Sequence, residues 1–209
     1  MYTILSNGEK FDFSDPKPIP VEETVKTLSR IYRYTGKTRY NYSVAAHCCL
    51  VSDLIREFCF NGKETGLTAQ YIMAGLLHDV EESITGDICG PYKSFFRVYP
   101  STDHEAHYAV MEAVIRPLST RVSLGRLHGP IVNAFDKAIT VPEIEELFDN
   151  VSDEIRKGLL HRIDVPRPDE FLEAAYRMVR SAKYWTPKDA EEEFMVRWKR
   201  LSAVLNETR

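Results

Sequence analysis

The sequence predicts an all-α protein: a helical bundle with a small β-hairpin at its N-terminus. Three observations predict it. Apolar residues recur at helical spacing in successive long segments, and a strand-and-turn signal is confined to the first residues. The breaks between periodic segments carry Gly, Pro and capping residues. At 209 residues and 44% hydrophobic content, the chain suffices for one well-filled domain spanning 1–209.

Residues 2–13 read as the hairpin, with YTIL and KFDF flanking a turn at Asn7-Gly8. The proline-rich SDPKPIP ends it and leads into a helix marked by Val21, Val25, Leu28 and Tyr32 at helical spacing. RYTGKTRYNYS (33–43) breaks that pattern. A second helix follows from about Val44 to Phe60, with His47, Val51, Leu54, Ile55 and Phe58 on one face. NGKETGLT is a turn whose Thr68 would cap a third helix, 69–84, stopped by Gly86. Helices near 102–117 and 130–150 come next, the second kinked or restarted at Pro142. HRIDVPRPD (161–169) is the clearest linker, and helices 169–183 and 187–206 complete the chain.

A net charge of −4 argues against a protein that coats nucleic acid. No stretch approaches 18 consecutive apolar residues, so no membrane span is expected. The N-terminus lacks a basic start followed by an apolar core, which makes a cytoplasmic protein the default. Cys48, Cys49, Cys59 and Cys89 form no C-x-x-C pair and read as reduced thiols.

The stretch GLLHDVEESITGD (75–87) carries the chemistry. It follows a run made for burial, and charge at the end of a buried helix is costly unless paired or metal-bound. Continued helix would put His78, Asp79 and Glu82 on one face, with Asp87 just past the Gly86 stop. An imidazole and several carboxylates suit a divalent cation beside an acid–base group. A His-Asp pair alone says little. However, His47 interrupts one apolar helix face and Asp136 another, which gives the order His, His-Asp, Asp on three separate helices. Viewed singly, each is more often a satisfied core polar residue.

In that order and spacing the sequence resembles the HD-domain phosphohydrolase superfamily, whose signature is H…HD…D. GLLHDVEESITGDICGPYK is similar to the segment carried by compact bacterial and phage nucleotide hydrolases of this type, with HD-x-x-E-x-x-x-x-D intact. FDFSDPKPIPVEETVKTLSRIYRYTGKTRYNYSVAAHC is similar to the subgroup that includes phage dATP triphosphohydrolases; bacterial HD 5′-deoxynucleotidases match less closely there. The likeness runs from about residue 8 to 95, loosens around Asp136 and fades after about 160. Cys48-Cys49 departs from the small polar residue usual after the first His.

The resemblance implies an HD-domain helical bundle with His47, His78, Asp79 and Asp136 as metal ligands. Histidine nitrogens and carboxylate oxygens suit Mn, Co, Fe, Ni or Zn, and Mg could accompany a triphosphate substrate. Glu82 would position or deprotonate the attacking water or protonate the leaving oxygen. Asp87 would share that work or hold the 3′ side of the sugar. For phosphate, Arg33 and Lys93 fall where the family places its contacts, with Lys37 and Arg39 as further cations. Tyr34 could stack on a base or simply pack.

The expected function is a dNTP triphosphohydrolase of the dATP type, with a 5′-deoxynucleotidase as the alternative. A non-catalytic nucleotide-binding module is the reading from another class. A cyclic-nucleotide phosphodiesterase ranks lower, since no Gly-Tyr-Pro tripeptide occurs. The partner is a small-molecule nucleotide, and the resemblance implies a homodimer or larger homo-oligomer. His104 and His107 flank Glu105 without a further ligand at supporting spacing and read as helix surface. Arg121 and Arg126 are candidates by charge alone. Trp185, Phe194 and Trp198 read as core or subunit contact.

Overall fold

The computed structural model describes residues 2–88 and 122–207. The helix expected near 102–117 lies outside them, as do Cys89, Lys93, His104, His107 and Arg121. The described residues are mostly helical, with one small antiparallel sheet.

Strands β1 (Tyr2–Ile4) and β2 (Lys10–Asp12) pair antiparallel, Tyr2 opposite Asp12 and Ile4 opposite Lys10. Gly8 turns the chain between them at φ 86°, a conformation open to glycine. Phe11 is buried, and the Asn7 amide donates to Glu23 of the first helix, so the hairpin is fastened to the bundle.

Helix α1 (Val21–Leu28) buries Val25 and Leu28. It ends a turn earlier than the periodicity suggests. Tyr32 instead pairs with Ser43 as an isolated bridge, and the Arg33 amide donates to the Tyr42 carbonyl, closing the base of a loop. A 3₁₀ turn at Arg33–Gly36 rides on that loop, with Tyr34 and Thr35 both left-handed at φ 58° and 54°.

Helix α2 (Val44–Phe60) has the bounds that its apolar pattern predicts. The Ser43 hydroxyl accepts from the Ala46 amide at its start, and Asn61 and Gly62 end it in left-handed backbone. The helix lies at the centre of the described residues, packed against α1 and, more extensively, α3 (Gly66–Leu77), α6 (Pro130–Leu147), α8 (Pro168–Ala182) and α9 (Pro187–Glu207). Along α2 the side chains Val44, Val51, Leu54 and Ile55 are completely buried, each worth about 1.5–3 kcal/mol.

Helix α3 starts earlier than expected, capped by Thr65, with Thr68 closing the capping box from the third position. It also stops at Leu77 rather than running on to 84. Residues 78–81 form tight turns in which the amides of Val80, Glu82 and Ser83 reach back three residues, before the short α4 (Glu82–Thr85). Gly86 at φ 76° ends α4 where a stop was expected.

Helix α5 (Leu124–Leu127) leads into α6, which runs unbroken through Pro142 to Leu147. The sequence pattern did not disclose α7 (Asp153–Leu160), an eight-residue helix capped by the Ser152 hydroxyl. Phe194 is fully buried, and Trp185 and Trp198 pack against the core. Among the described residues no helix is long and apolar enough to cross a membrane.

Candidate metal centre

Three helices bring the predicted ligands together. His47 comes from the first turn of α2, His78 and Asp79 from the turn that ends α3, and Asp136 from the second turn of α6. Close approach of α2 and α3 rests on Gly75. A Cβ there would lie 2.7 Å from Ile55 Cδ1 and 3.3 Å from the Ser52 Cα. The Ser52 hydroxyl also donates to the Ile72 carbonyl across the same crossing.

His47 Nε2 lies 3.2 Å from His78 Nε2 and 3.1 Å from Asp136 Oδ1. Asp79 Oδ2 is 3.2 Å from His78 Nε2 and 3.8 Å from His47 Nε2, and Asp136 Oδ1 is 3.8 Å from His78 Nε2. The ligand atoms of His47, His78 and Asp79 all fall within 4.8 Å of one another. With bonds of about 2.1 Å to a shared ion, neighbouring ligands sit roughly 3–3.5 Å apart, close to this spacing.

The outer bonds of the imidazoles decide what the inner atoms are. His47 Nδ1 donates to Glu143 Oε1 at 2.6 Å, and His78 Nδ1 donates to the Gly75 carbonyl at 2.8 Å. Both acceptors lack a proton to give, so both Nδ1 atoms carry the hydrogen, and in the neutral imidazoles both Nε2 atoms present lone pairs. In that neutral form two lone pairs and two carboxylate oxygens converge without a donor, so a proton or a metal ion must hold them together. Only positive charge makes such a cluster stable. The proton affinities agree. Burial opposes charging His78, yet Asp79, then Cys48 and Asp136, outweigh it and hold this imidazole well above its usual range. Burial likewise opposes ionisation of Asp79 and Asp136, but the imidazoles hold both carboxylates below theirs. The residues present therefore fit a divalent cation.

The imidazoles are sealed off, His47 at 0% and His78 at 3% exposure. Asp79 and Asp136 open at 18% and 36% onto a cleft of about 510 Å³. Arg33, Tyr34, Lys37, Glu82 and Asp87 line it too, so these predicted residues do meet there. Glu82 is 4% exposed and faces the cleft from the first turn of α4.

Four of the candidates for the substrate side have partners within the chain. Arg39 is not part of this lining: its guanidinium pairs with Asp149 at 3.3 Å and donates to the Glu146 carbonyl, tying the loop to the end of α6. Tyr34 is fixed by packing, its hydroxyl donating to Glu143 Oε2 at 2.7 Å and its ring edge-on to Phe148. Arg33 is held between Asp79 and Glu143 at 3.4 and 3.3 Å. Arg126 lies over the Tyr71 ring, away from the cleft lining.

Several residues of the site were not apparent from the sequence. Glu143 is completely buried beneath His47. Burial pushes its carboxyl up, but Arg33 and His47 more than offset that and leave it at about 2. Its signal was a position seven residues after Asp136, on the same face of α6. Lys137 and Arg162 add cations at the cleft, while Ile144, Phe148 and Leu159 supply apolar wall.

No protein-family model matches the chain. An uncharacterized protein of Rhodobacter capsulatus is 34% identical over 94 residues. That match spans 43% of this chain and 45% of the relative.

Proposed function

We propose that the protein is a metal-dependent nucleotide phosphohydrolase built on an HD-type helical domain. The observation that carries this reading is the convergence of His47 Nε2, His78 Nε2, Asp79 Oδ2 and Asp136 Oδ1 at the floor of a cleft rimmed with cations. These four residues would hold a divalent ion of the Mn, Co, Fe, Ni or Zn group. When bound, the ion supplies positive charge against the phosphoryl oxygens and eases ionisation of water.

The chain's own groups do the rest. Glu82 orients the attacking water and takes its proton, and the leaving 5′-oxygen regains one from the same carboxyl. Asp87 holds the sugar. Arg33, locked between two carboxylates, presents a fixed cation to the phosphate. In either substrate class the bond between phosphorus and the 5′-oxygen breaks. A dNTP then yields triphosphate and a dNMP yields phosphate.

The triphosphate reading, with dATP as the favoured substrate, draws on the resemblance of the N-terminal segment. It also draws on Lys37, Lys137 and Arg162, which exceed what one phosphate needs. The monophosphate alternative has its own support. The lining cations Arg33, Lys37, Lys137 and Arg162 are balanced by Asp79, Glu82, Asp87 and Asp136, so one divalent ion leaves a charge that suits a dianionic monoester. A triphosphate would then bring its own Mg. A soluble cytoplasmic homodimer or larger homo-oligomer belongs to the same proposal.

The test is a panel of dNMPs and dNTPs with Mn, Co and Mg, scoring phosphate against triphosphate. Metal-dependent release of either product supports the reading. No turnover on any member, from a protein that purifies without stoichiometric metal, would leave a binding module instead.

A further inference from the structure

The completely buried Glu143 has a position that the hydrolytic reading does not use. Its two oxygens serve different parts of the cleft. Oε1 accepts from His47 Nδ1 at 2.6 Å, beneath the metal centre. Oε2 accepts from the Tyr34 hydroxyl at 2.7 Å and lies 3.3 Å from the Arg33 guanidinium. Arg33 in turn donates to Asp79 Oδ2 at 3.4 Å, so the chain of contacts closes on a second ligand.

The turn that Glu143 grips is itself in need of holding. Tyr34 and Thr35 are left-handed without being glycine, a conformation that persists only where the surroundings over-determine it. Tyr34 is pinned by its hydroxyl to Glu143 and by its ring to Phe148. The Arg33–Gly36 turn also supplies Arg33 and Tyr34 to the cleft wall.

We propose that Glu143 is a positioning residue shared by the metal centre and the substrate side of the cleft: it orients His47 toward the ion and fixes the Arg33–Tyr34 turn against which the nucleotide binds. The inference rests on the metal-dependent reading above. A carboxylate that orients a ligand imidazole characteristically tunes metal affinity by about 10- to 100-fold. Here the same carboxylate also sets the geometry of the phosphate-facing arginine.

The experiment titrates cobalt into wild type, Glu143→Gln and Tyr34→Phe, following the visible cobalt spectrum. It then measures binding, at saturating cobalt, of a dATP analogue whose 5′-oxygen is replaced by carbon and therefore resists cleavage. Glu143→Gln preserves shape while removing the charge. It is expected to weaken cobalt binding about 10- to 100-fold, alter the cobalt spectrum, and weaken the analogue at saturating metal. Tyr34→Phe cuts only the arm to the turn. It is expected to leave cobalt affinity within about twofold and to weaken the analogue about three- to tenfold, the loss of one hydrogen bond. Wild-type cobalt affinity in Glu143→Gln, or unchanged analogue binding in either variant, overturns the shared role. If Glu143→Gln fails to fold, Tyr34→Phe decides. A wild type that takes up no cobalt overturns the metal-dependent reading and this inference together, whereas a wild type that binds both probes leaves the variants to test Glu143 alone.

Discussion

Glu143 and Glu146 stand three residues apart on the same helix and live in different physical worlds. Glu143 is fully buried, with His47, Tyr34 and Arg33 meeting its two oxygens. Glu146 is partly buried, its side chain 16% exposed, and accepts from Arg180 at 2.8 Å and Lys183 at 3.1 Å, stapling α8 to α6. Removing one partner of a buried charged set costs about 3–5 kcal/mol, because the remaining charges stay buried without compensation. A pair that reaches solvent on one side is worth far less, about 0.2–1 kcal/mol where fully exposed, and Arg180 is 62% exposed although Glu146 is 16% and Lys183 10% exposed. The difference teaches that acidic residues on α6 are sorted by depth, the deep one serving the centre and the shallow one the scaffold.

Variants at the deep end should show the largest effects. Asp79→Ala removes one ligand oxygen and also the carboxylate that Arg33 faces. Metal content by elemental analysis is expected to fall to background, and hydrolysis with it. Full metal retention would break the contrast between depth and surface at its strongest point. Glu82→Gln should leave the metal in place and lower kcat by about 100- to 10,000-fold, the usual worth of a positioned acid–base group. Wild-type turnover in that variant would remove Glu82 from the reaction.

Gly75→Ala probes the crossing that brings His47 to His78. A methyl group there meets Ile55 Cδ1 at 2.7 Å and the α2 backbone at 3.3 Å, and only the side chain can give way easily. A loss of about 1–3 kcal/mol in chemical denaturation is expected, accompanied by weaker metal binding. Unchanged stability would show that Ile55 alone absorbs the strain.

Glu146→Gln gives the smallest effect, about 0.2–1 kcal/mol, diminishing as salt is added. Burial raises the Glu146 carboxyl somewhat, but Arg180 and Lys183 bring it below its usual range. Its folded pKa therefore lies under its unfolded one. The stabilisation is present above the usual carboxylate range and is lost as pH falls through the folded value. Stability profiles of wild type and Glu146→Gln should thus converge on acidification and separate near neutrality. A gap that widened toward low pH would contradict this.

The floor of the cleft was legible because His47 and Asp136 each interrupt an apolar helical face and, with the His78-Asp79 pair, stand in the order of the signature that the sequence resembles. Glu143 was hidden by its neighbours. In VPEIEEL three acids stand together, Glu143, Glu145 and Glu146, and nothing in the pattern separates the deep one from the others, while Pro142 suggested a kink or restart where the helix continues. The turn at 78–81 was illegible for a related reason. Side-chain periodicity matches a continuing α-helix, and the switch to i−3 bonding appears only in the backbone. Arg39 shows the limit of charge counting: near neighbours in sequence, Arg33 and Arg39 end up on different anions. Helix α7 announced itself only through Ser152 followed by Asp153 and Glu154, a signal easily absorbed into a loop.

The central claim is that four lone-pair atoms from α2, the end of α3, and α6 surround one cation. Metal analysis of the protein purified without chelator, repeated after dialysis against cobalt, tests it directly. The account predicts close to one tightly held divalent ion per chain in wild type and none in His47→Ala. A wild type that retains no ion, or a His47→Ala variant that retains it as well as wild type does, would contradict the account.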